Sequence, residues 1–428
     1  MSETRRTDMY EYILESNGVI RNIITKRGPA LRESVEYVLS RKVEQIYMIG
    51  SGTSYHAEYA AKCFMEKILR VPVRVFYPLQ FIDECAAVSR DTLVVGASHG
   101  GQSSSTIAGL DRAREMGLPT IASSAVPDSE IMKHGDAVLT CELGEENAGP
   151  KTKGYFCAIV LYILFALEIA VRKNLISASD AATYIARLQK TADNIPVIAE
   201  RSSAWYDAQA EELKTARRIV LIGYGNNRAT YMEGTLKILE AVRFGITGYE
   251  MEEFMHGIYH SIWKDDFVFY IGSPGKYYPR IIQLQKYFEE RTAHNFLFSS
   301  DVAQNNGKNF IAPFIDDEDF SPLEYIVPLQ VIARRLSADL GIDCNIPSDP
   351  DFHRKMQSYR YSDSPLRLFQ NPAKGGTATG CRVSPFAPVF ALRYPPLRGS
   401  DPRNAPETPE AGKARDRITA AACVPQGF

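Results

Sequence analysis

Short apolar runs alternate along this chain with longer stretches whose apolar residues recur every three or four positions. A run closes at Ile49 in "VEQIYMIG", and from about Ser54 the stretch "SYHAEYAAKCFMEKIL" carries helical spacing. "VRVFY" follows, then "DTLVVGAS" before the helical "STIAGLDRAREMG", then the further runs "PTIASS" and "DAVLT". Strand, small-residue loop and helix in repetition predict a mostly parallel sheet covered by helices on both faces. The pattern then restarts. "RRIVLIGYGNNRATYMEGTLKILE" repeats the strand, Gly-x-Gly turn and helix of "EQIYMIGSGTSYHAEYAAKCFMEK", and "DDFVFYIGSP" parallels "DTLVVGASHG". Two copies of one α/β unit therefore account for residues to about 345.

Other segments frame the repeat. Residues 1–35 read as an N-terminal helical segment, and the polar stretch around Asp180 to Lys214 as a helical connector. "GYFCAIVLYILFALEIA", Gly154 to Ala170, is apolar on all sides except Glu168, but falls short of the roughly 20 residues a bilayer needs. A helix buried between layers or subunits is the expectation. "TLKILEAVRFGITGYEMEEFMHGIYHSI", Thr235 to Ile262, reads as the end of an amphipathic helix, a glycine-broken loop and a second helical start. It strands Glu240 and His256 among apolar neighbours. From residue 362 to 428 the chain is rich in Pro, Gly and Ala without sustained periodicity, so disorder is expected there.

Charge and cysteine usage narrow the function classes. The 428 residues carry 49 basic against 51 acidic side chains, which gives no electrostatic reason to expect nucleic acid or an anionic membrane as partner. A small molecule is the better expectation. Seven cysteines, at 63, 85, 141, 157, 344, 381 and 423, are scattered and never in CxxC spacing, and the histidines do not cluster at ligand spacing. Free thiols, a reducing compartment and no metal follow. "MSETRRTDMYEYILES" lacks a signal-peptide core, which places the expected location in the cytoplasm.

Ligands of open parallel sheets bind beyond the carboxyl ends of the strands, where loops hand over to helix N-termini. Two loops of the first unit sit there. "GSGTS", Gly50 to Ser54, offers backbone N–H groups and the hydroxyls of Ser51, Thr53 and Ser54; "SHGGQSSST", Ser98 to Thr106, adds five more hydroxyls beside a glycine pair. Donors massed at helix N-termini suit a phosphate dianion. Either loop alone would be ordinary turn and cap chemistry. Gly50 and Gly52 also invite a dinucleotide reading, but Tyr55 stands where the third glycine of GxGxxG belongs, and in the second unit Arg228 stands there.

Together "GSGTSYHAEYAAK", "SHGGQSSSTIAGL", "GYGNNRATYMEGTLKILEA", "FMHGIYHSI" and "IVPLQVIARRLSADLGID" resemble the sugar isomerase (SIS) family. Within it, the chain is similar to the isomerase half of glucosamine-6-phosphate synthase and to the deglycases of phosphorylated Amadori products such as fructoselysine 6-phosphate. The resemblance covers roughly residues 40 to 355. It implies two tandem SIS units, each a doubly wound, flavodoxin-like parallel sheet flanked by helices. The expected boundaries are 36–175 for the first unit, 176–214 for the connector, and 215–361 for the second unit with a C-terminal lid.

The resemblance also implies site residues. Gly52, Thr53 and Ser54, with Ser98, His99, Gly101, Gln102 and Ser103, would hold the sugar phosphate; Gly100 stands where the family usually has a hydroxyl. Glu240 falls on the glutamate that shuttles protons between sugar carbons 1 and 2, Lys237 on the lysine one turn before it, and His256 on the histidine for ring opening or protonation. In the synthase that histidine comes from a neighbouring subunit, so a homodimer or higher homo-oligomer is implied. Lys355 is the nearest match to the synthase's Schiff-base lysine. Lys151, Thr152 and Lys153 replace its Ser-Thr-Lys pattern in a form closer to the deglycases. Lys153, Glu253, Lys355 and Tyr361 join as secondary candidates, Arg360 and Tyr361 as lid residues and His260 as a structural residue. Residues 1–39 show no cysteine nucleophile and no glutaminase pattern, so glutamine is not expected as the ammonia source.

These residues suit one chemistry in particular. A carboxylate beside the carbon chain can take a carbon-1 proton, and His256 can exchange a proton at oxygen because an unperturbed imidazole titrates near neutrality. Lys237 can orient Glu240 or steady charge on an enaminol oxygen. The expected activity is a deglycase or isomerase acting on a 6-phosphorylated fructosyl or glucosyl amine, without cofactor. Two alternatives stand beside it: an aldose–ketose isomerase or aminosugar-phosphate deaminase of glucosamine 6-phosphate type, and a phosphosugar-sensing protein that only binds.

Overall fold

Short apolar runs form most of the strands, and small residues at their ends turn the chain into helices. The computed structural model describes residues 8–140 and 142–360. The chain parts into two compact units, Met1–Gln370 and Asn371–Phe428, and every described residue belongs to the first. Tyr361 and the tail 362–428, for which a lid role and disorder were the expectations, lie outside the described residues.

The first half begins with α1 (Met9–Leu39), β1 (Gln45–Ile49), α2 (Thr53–Leu69), β2 (Val73–Phe76) and α3 (Pro78–Glu84). It continues through β3 (Thr92–Ala97), α4 (Ser104–Glu115), β4 (Thr120–Ser124), β5 (Ala137–Thr140) and α5 (Lys153–Arg172). α6 (Ala178–Asp193) and α7 (Ile195–Leu213) connect to the second half. There β6 (Arg218–Gly223), α8 (Arg228–Val242), β7 (Gly245–Glu250), α9 (Met251–Met255), β8 (Phe267–Ile271) and α10 (Tyr278–Glu289) follow. β9 (Asn295–Ser299), β10 (Phe310–Ile311), α11 (Pro322–Asp339) and α12 (Phe352–Lys355) complete it.

Both sheets are five-stranded and parallel, in the orders β2-β1-β3-β4-β5 and β10-β9-β8-β6-β7. Read from its other edge, the second order is that of the first. Each first strand has a neighbour on both sides, so each sheet reverses direction beside β1 or β6, and the crevice opens at the carboxyl ends of those strands.

Three local outcomes differ from the sequence reading. α1 runs through Gly28 and Pro29 to Leu39, past the expected end at 35, because Ile20, Ile23, Ile24, Leu31, Val35 and Val38 are all buried on one stripe. The stretch after Glu240, expected to be a loop, contains β7, paired with β6 from Arg218–Gly245 to Gly223–Glu250. Its two glycines hid the strand. A Cβ at Gly248 would fall 2.4 Å from Thr235 Oγ1 and 2.8 Å from Tyr231 Cδ2, so glycine is what lets α8 lie on the edge of the sheet. Finally, the two α/β halves share one continuous core, in which α5 packs on α2, α2 on α8 and α8 on α11.

α5 is at the centre of that core. By length and apolarity it could cross a membrane, yet 83% of its most apolar window is buried inside the molecule. Burial of Phe156, Leu164 and Phe165 stabilises by about 1.5–3 kcal/mol each, so Phe165→Ala would cost about 3–5 kcal/mol.

Candidate active site

The two expected phosphate loops converge. Thr53, Ser54, Ser98 and His99 line one small pocket together with Ser123, Ser124 and Tyr162. Gly52, at φ +55, bends the first loop into α2, whose N-terminus receives no side-chain cap and so keeps backbone donors for a ligand. The second loop is held from below. Ser98 Oγ accepts from Ser103 N–H at 3.2 Å, and Ser103 caps α4 by accepting from Thr106 N–H. Gly101 has φ +70, and a Cβ there would meet Ser129 Oγ at 1.9 Å. Only glycine fits.

Within this cradle some expected contacts are already committed. The Thr53 hydroxyl donates to Glu233 Oε1 at 3.0 Å, which leaves its backbone N–H, not its side chain, for a phosphate. Gln102 is exposed, and its carbonyl accepts from Arg360 N–H at 2.8 Å. Ser104 donates to Ser358 O through its N–H at 3.0 Å and to Gln357 O through its hydroxyl at 2.9 Å, so residues 357–360 strap the start of α4. His99 turns its ring toward Glu146, with Nε2 3.9 Å from Oε2, and burial lowers its pKa. Gly154 makes room for that ring: a Cβ would lie 2.1 Å from His99 Cε1.

The residues expected to transfer protons, Lys237 and Glu240, stand on α8. Lys237 Nζ donates to Glu240 Oε2 at 2.8 Å and stands 3.6 Å from Glu233 Oε1. Burial alone would push this ammonium down, but Glu233 first and Glu240 next outweigh it, and its pKa is raised. It remains a cation. Glu240 itself is exposed. Lys151 faces the same charges: its Nζ donates to Glu146 O at 2.5 Å and Ala148 O at 3.1 Å, and burial, with Lys237 nearby, lowers its pKa despite Glu146 and Glu240.

Three residues that the sequence reading did not single out lie among these candidates: Glu146, Glu233 and His56, whose Nδ1 is 2.7 Å from Glu233 Oε2; Lys151, named there only as part of a pattern, joins them. Glu146 accepts from the N–H groups of Thr152, Lys153 and Gly154 at 2.6, 2.9 and 2.9 Å, which caps α5 with a carboxylate from six residues upstream. Acidic side chains buried among apolar helical positions, as Glu233 is in "YMEGTLKIL", were the available signal.

Other candidates lie elsewhere. Lys153 has a fully buried side chain that donates to Glu145 O at 2.8 Å, pairs with Glu15 at 3.3 Å and lies over the Tyr12 ring, so it fastens α1. Lys355 is exposed and paired with Asp349 at 3.0 Å. Glu253 is exposed on α9, its N–H donating to Glu250 Oε2. His256 caps the end of α9 with its side chain exposed, and among the described residues no hydrogen bond or ion pair joins it to Glu240. His260 is exposed and packs on Tyr259. Among the described residues no group of three His, Cys, Asp or Glu side chains is placed to hold a metal ion.

Comparison with known proteins bears on the same surfaces. A SIS domain family model matches residues 39–168. The glutamine–fructose-6-phosphate aminotransferase (isomerizing) of Gloeobacter violaceus is 27% identical over 347 residues, which cover 79% of this chain and 57% of that protein. The chain thus spans little more than half the length of this curated relative. Among solved structures, a Salmonella typhimurium LT2 protein provisionally described as sugar binding is 33% identical, with a TM-score of 0.72 over 77% of this chain and 99% of that one. A Clostridium difficile 630 protein provisionally described as a phosphosugar isomerase is 29% identical, with a TM-score of 0.78 over 82% of this chain and 98% of that one.

Proposed function

The chain belongs to the SIS domain family, and from that premise we propose that it is a phosphosugar enzyme that cleaves 6-phosphorylated Amadori-type sugar amines. The observation that carries the reading is the Lys237–Glu240 pair on α8, the helix against which α2, bearing the Gly50–Ser54 loop, packs.

The reaction follows from what the groups can do. Glu240 removes a carbon-1 proton from the 1-amino-1-deoxyketose, and the electron pair of that C–H bond forms the C1–C2 double bond of an enaminol. Lys237, kept cationic by its carboxylate neighbours, steadies the Glu240 carboxylate and the charge growing on the carbon-2 oxygen. Protonation at carbon 2 gives an aldimine. Water adds to carbon 1, the C–N bond breaks, and an aldose 6-phosphate and a free amine result. The balance is a hydrolysis, with no change of oxidation state overall.

Lys355 supports a substrate that brings its own amine. It is exposed and paired with Asp349, and an Amadori compound does not need a lysine imine to activate its carbonyl. The test is incubation of purified protein with fructoselysine 6-phosphate, glucosamine 6-phosphate, and fructose 6-phosphate plus ammonia, following glucose 6-phosphate and amine release. Amine release from the first substrate alone is expected. Turnover only of glucosamine 6-phosphate would favour a deaminase, and tight binding with no turnover would favour a sensor.

A further inference from the structure

Glu233 has no solvent exposure, and groups from both halves of the repeat converge on it. Thr53 Oγ1 donates to Oε1 at 3.0 Å, His56 Nδ1 lies 2.7 Å from Oε2, and Lys237 Nζ stands 3.6 Å from Oε1. Thr53 and His56 belong to the first turn of α2, directly behind the Gly50–Ser54 loop, whereas Glu233 and Lys237 lie one turn apart on α8. The loop also rests on α8 itself, since a Cβ at Gly52 would touch Leu236 Cδ2 at 3.5 Å.

We propose that Glu233 is a positioning residue that clamps the sugar-phosphate loop of the first unit to the Lys237–Glu240 pair of the second, with His56 as the second arm of the clamp. The inference rests on the phosphosugar reading of the site. Its physical basis is that a buried carboxylate keeps its charge only while its lone pairs are occupied, so Thr53, His56 and Lys237 hold their places together. A phosphate that fixes the loop thereby also fixes Lys237 beneath Glu240. His56 cannot rotate without giving up its bond to Glu233, and its ring packs edge-on against Tyr55 at 5.9 Å between centroids. The charged groups facing Lys237 are Glu233 and Glu240 on its own helix, Glu146 and Lys151 from the segment before α5, and His99 from the second loop.

The test uses the full chain, with fructose 6-phosphate as the calorimetric ligand and fructoselysine 6-phosphate as the kinetic substrate. Glu233→Gln keeps the shape and removes the charge. It is expected to weaken binding about tenfold, since a charged hydrogen-bond partner is lost. It is also expected to move the alkaline limb of the kcat profile to lower pH, because Lys237 loses the buried carboxylate that does most to raise its pKa. Thr53→Val cuts only the arm to the loop, so it is expected to weaken binding while leaving that limb in place. Glu233→Gln that folds, binds as wild type and keeps the alkaline limb overturns the clamp. Should that variant not fold, His56→Asn and Thr53→Val decide the binding arm, and wild-type affinity in both overturns the proposal. A wild type that binds no sugar phosphate overturns the phosphosugar reading and the clamp with it. Binding without turnover overturns the deglycase reading alone, and the affinities still decide the clamp.

Discussion

Lys237 Nζ stands 2.8 Å from Glu240 Oε2, joining a side chain with 2% of its surface exposed to one with 39% exposed. The buried partner fixes the position and the open partner keeps room for a substrate carbon. Glu240→Gln preserves the size of the side chain and removes the base, so turnover is expected to fall at least roughly 100-fold. The melting temperature is expected to stay at the wild-type value, because an exposed substitution of this kind changes stability by about 0.5 kcal/mol or less. Steady-state kinetics with thermal unfolding checks both, and near-wild-type turnover sinks the assignment.

Lys237 carries a structural duty that Glu240 does not. Lys237→Met keeps the apolar stem and withdraws the ammonium from buried Glu233, whose remaining partners are the Thr53 hydroxyl and the His56 ring. A loss of about 3 kcal/mol is expected, as for other broken buried ion pairs. Urea unfolding measures it. A loss below about 1 kcal/mol would mean that Glu233 is satisfied without the lysine.

Particular residues show how much of this was legible. The strand runs, the repeat, both loops and the Lys237–Glu240 spacing were readable, because each depends on local pattern or on residues three or four apart. Thr53 and Glu233 are 180 positions apart and meet only because the halves pack α2 against α8, which no local pattern encodes. Lys151 and Lys153 differ for a similar reason. They flank one threonine, yet Lys153, the first residue of α5, reaches Glu15 on α1, while Lys151, just before the helix, turns back to the carbonyls of Glu146 and Ala148. β7 escaped notice because an edge strand carrying two glycines has no apolar run to display.

Two carboxyl groups away from the proton-transfer pair set a pH dependence of stability. Glu58 is fully buried, neither of its oxygens has a hydrogen-bond partner, and burial raises its pKa well above the ordinary 4.5. Glu324 is raised to about 7, burial outweighing its bonds to Asn194 and Ile315. Each binds its proton more tightly in the folded chain than in the unfolded one. Stability from this source is therefore full below about pH 4.5 and is lost as pH rises, to about 7 for Glu324 and further for Glu58. Glu58→Gln removes one share of the loss. Between pH 5 and pH 8 the denaturant midpoint of wild type is expected to drop more than that of the variant. Equal drops would mean that Glu58 ionises normally.

His256 gives the prediction with the widest reach. It caps α9 with an exposed ring, while Met255, Tyr259, Leu284, Tyr287 and Phe288 line a neighbouring depression of about 400 Å³. Trp263, 72% exposed, lies a few residues further along the chain. On the homodimer that the family resemblance implies, this face would meet a second copy and His256 would complete the partner's site. His256→Ala and Glu240→Gln would then each abolish turnover alone. Mixed after unfolding and refolding together, a dimer of one of each holds one site with both lesions and one with neither. Half of randomly paired dimers are mixed, so roughly a quarter of wild-type activity is expected to return. Sedimentation of the wild type at assay concentration gives the oligomeric state independently. A mixture as inactive as its parents, from a protein that sediments as a dimer, would place His256 outside the partner's site.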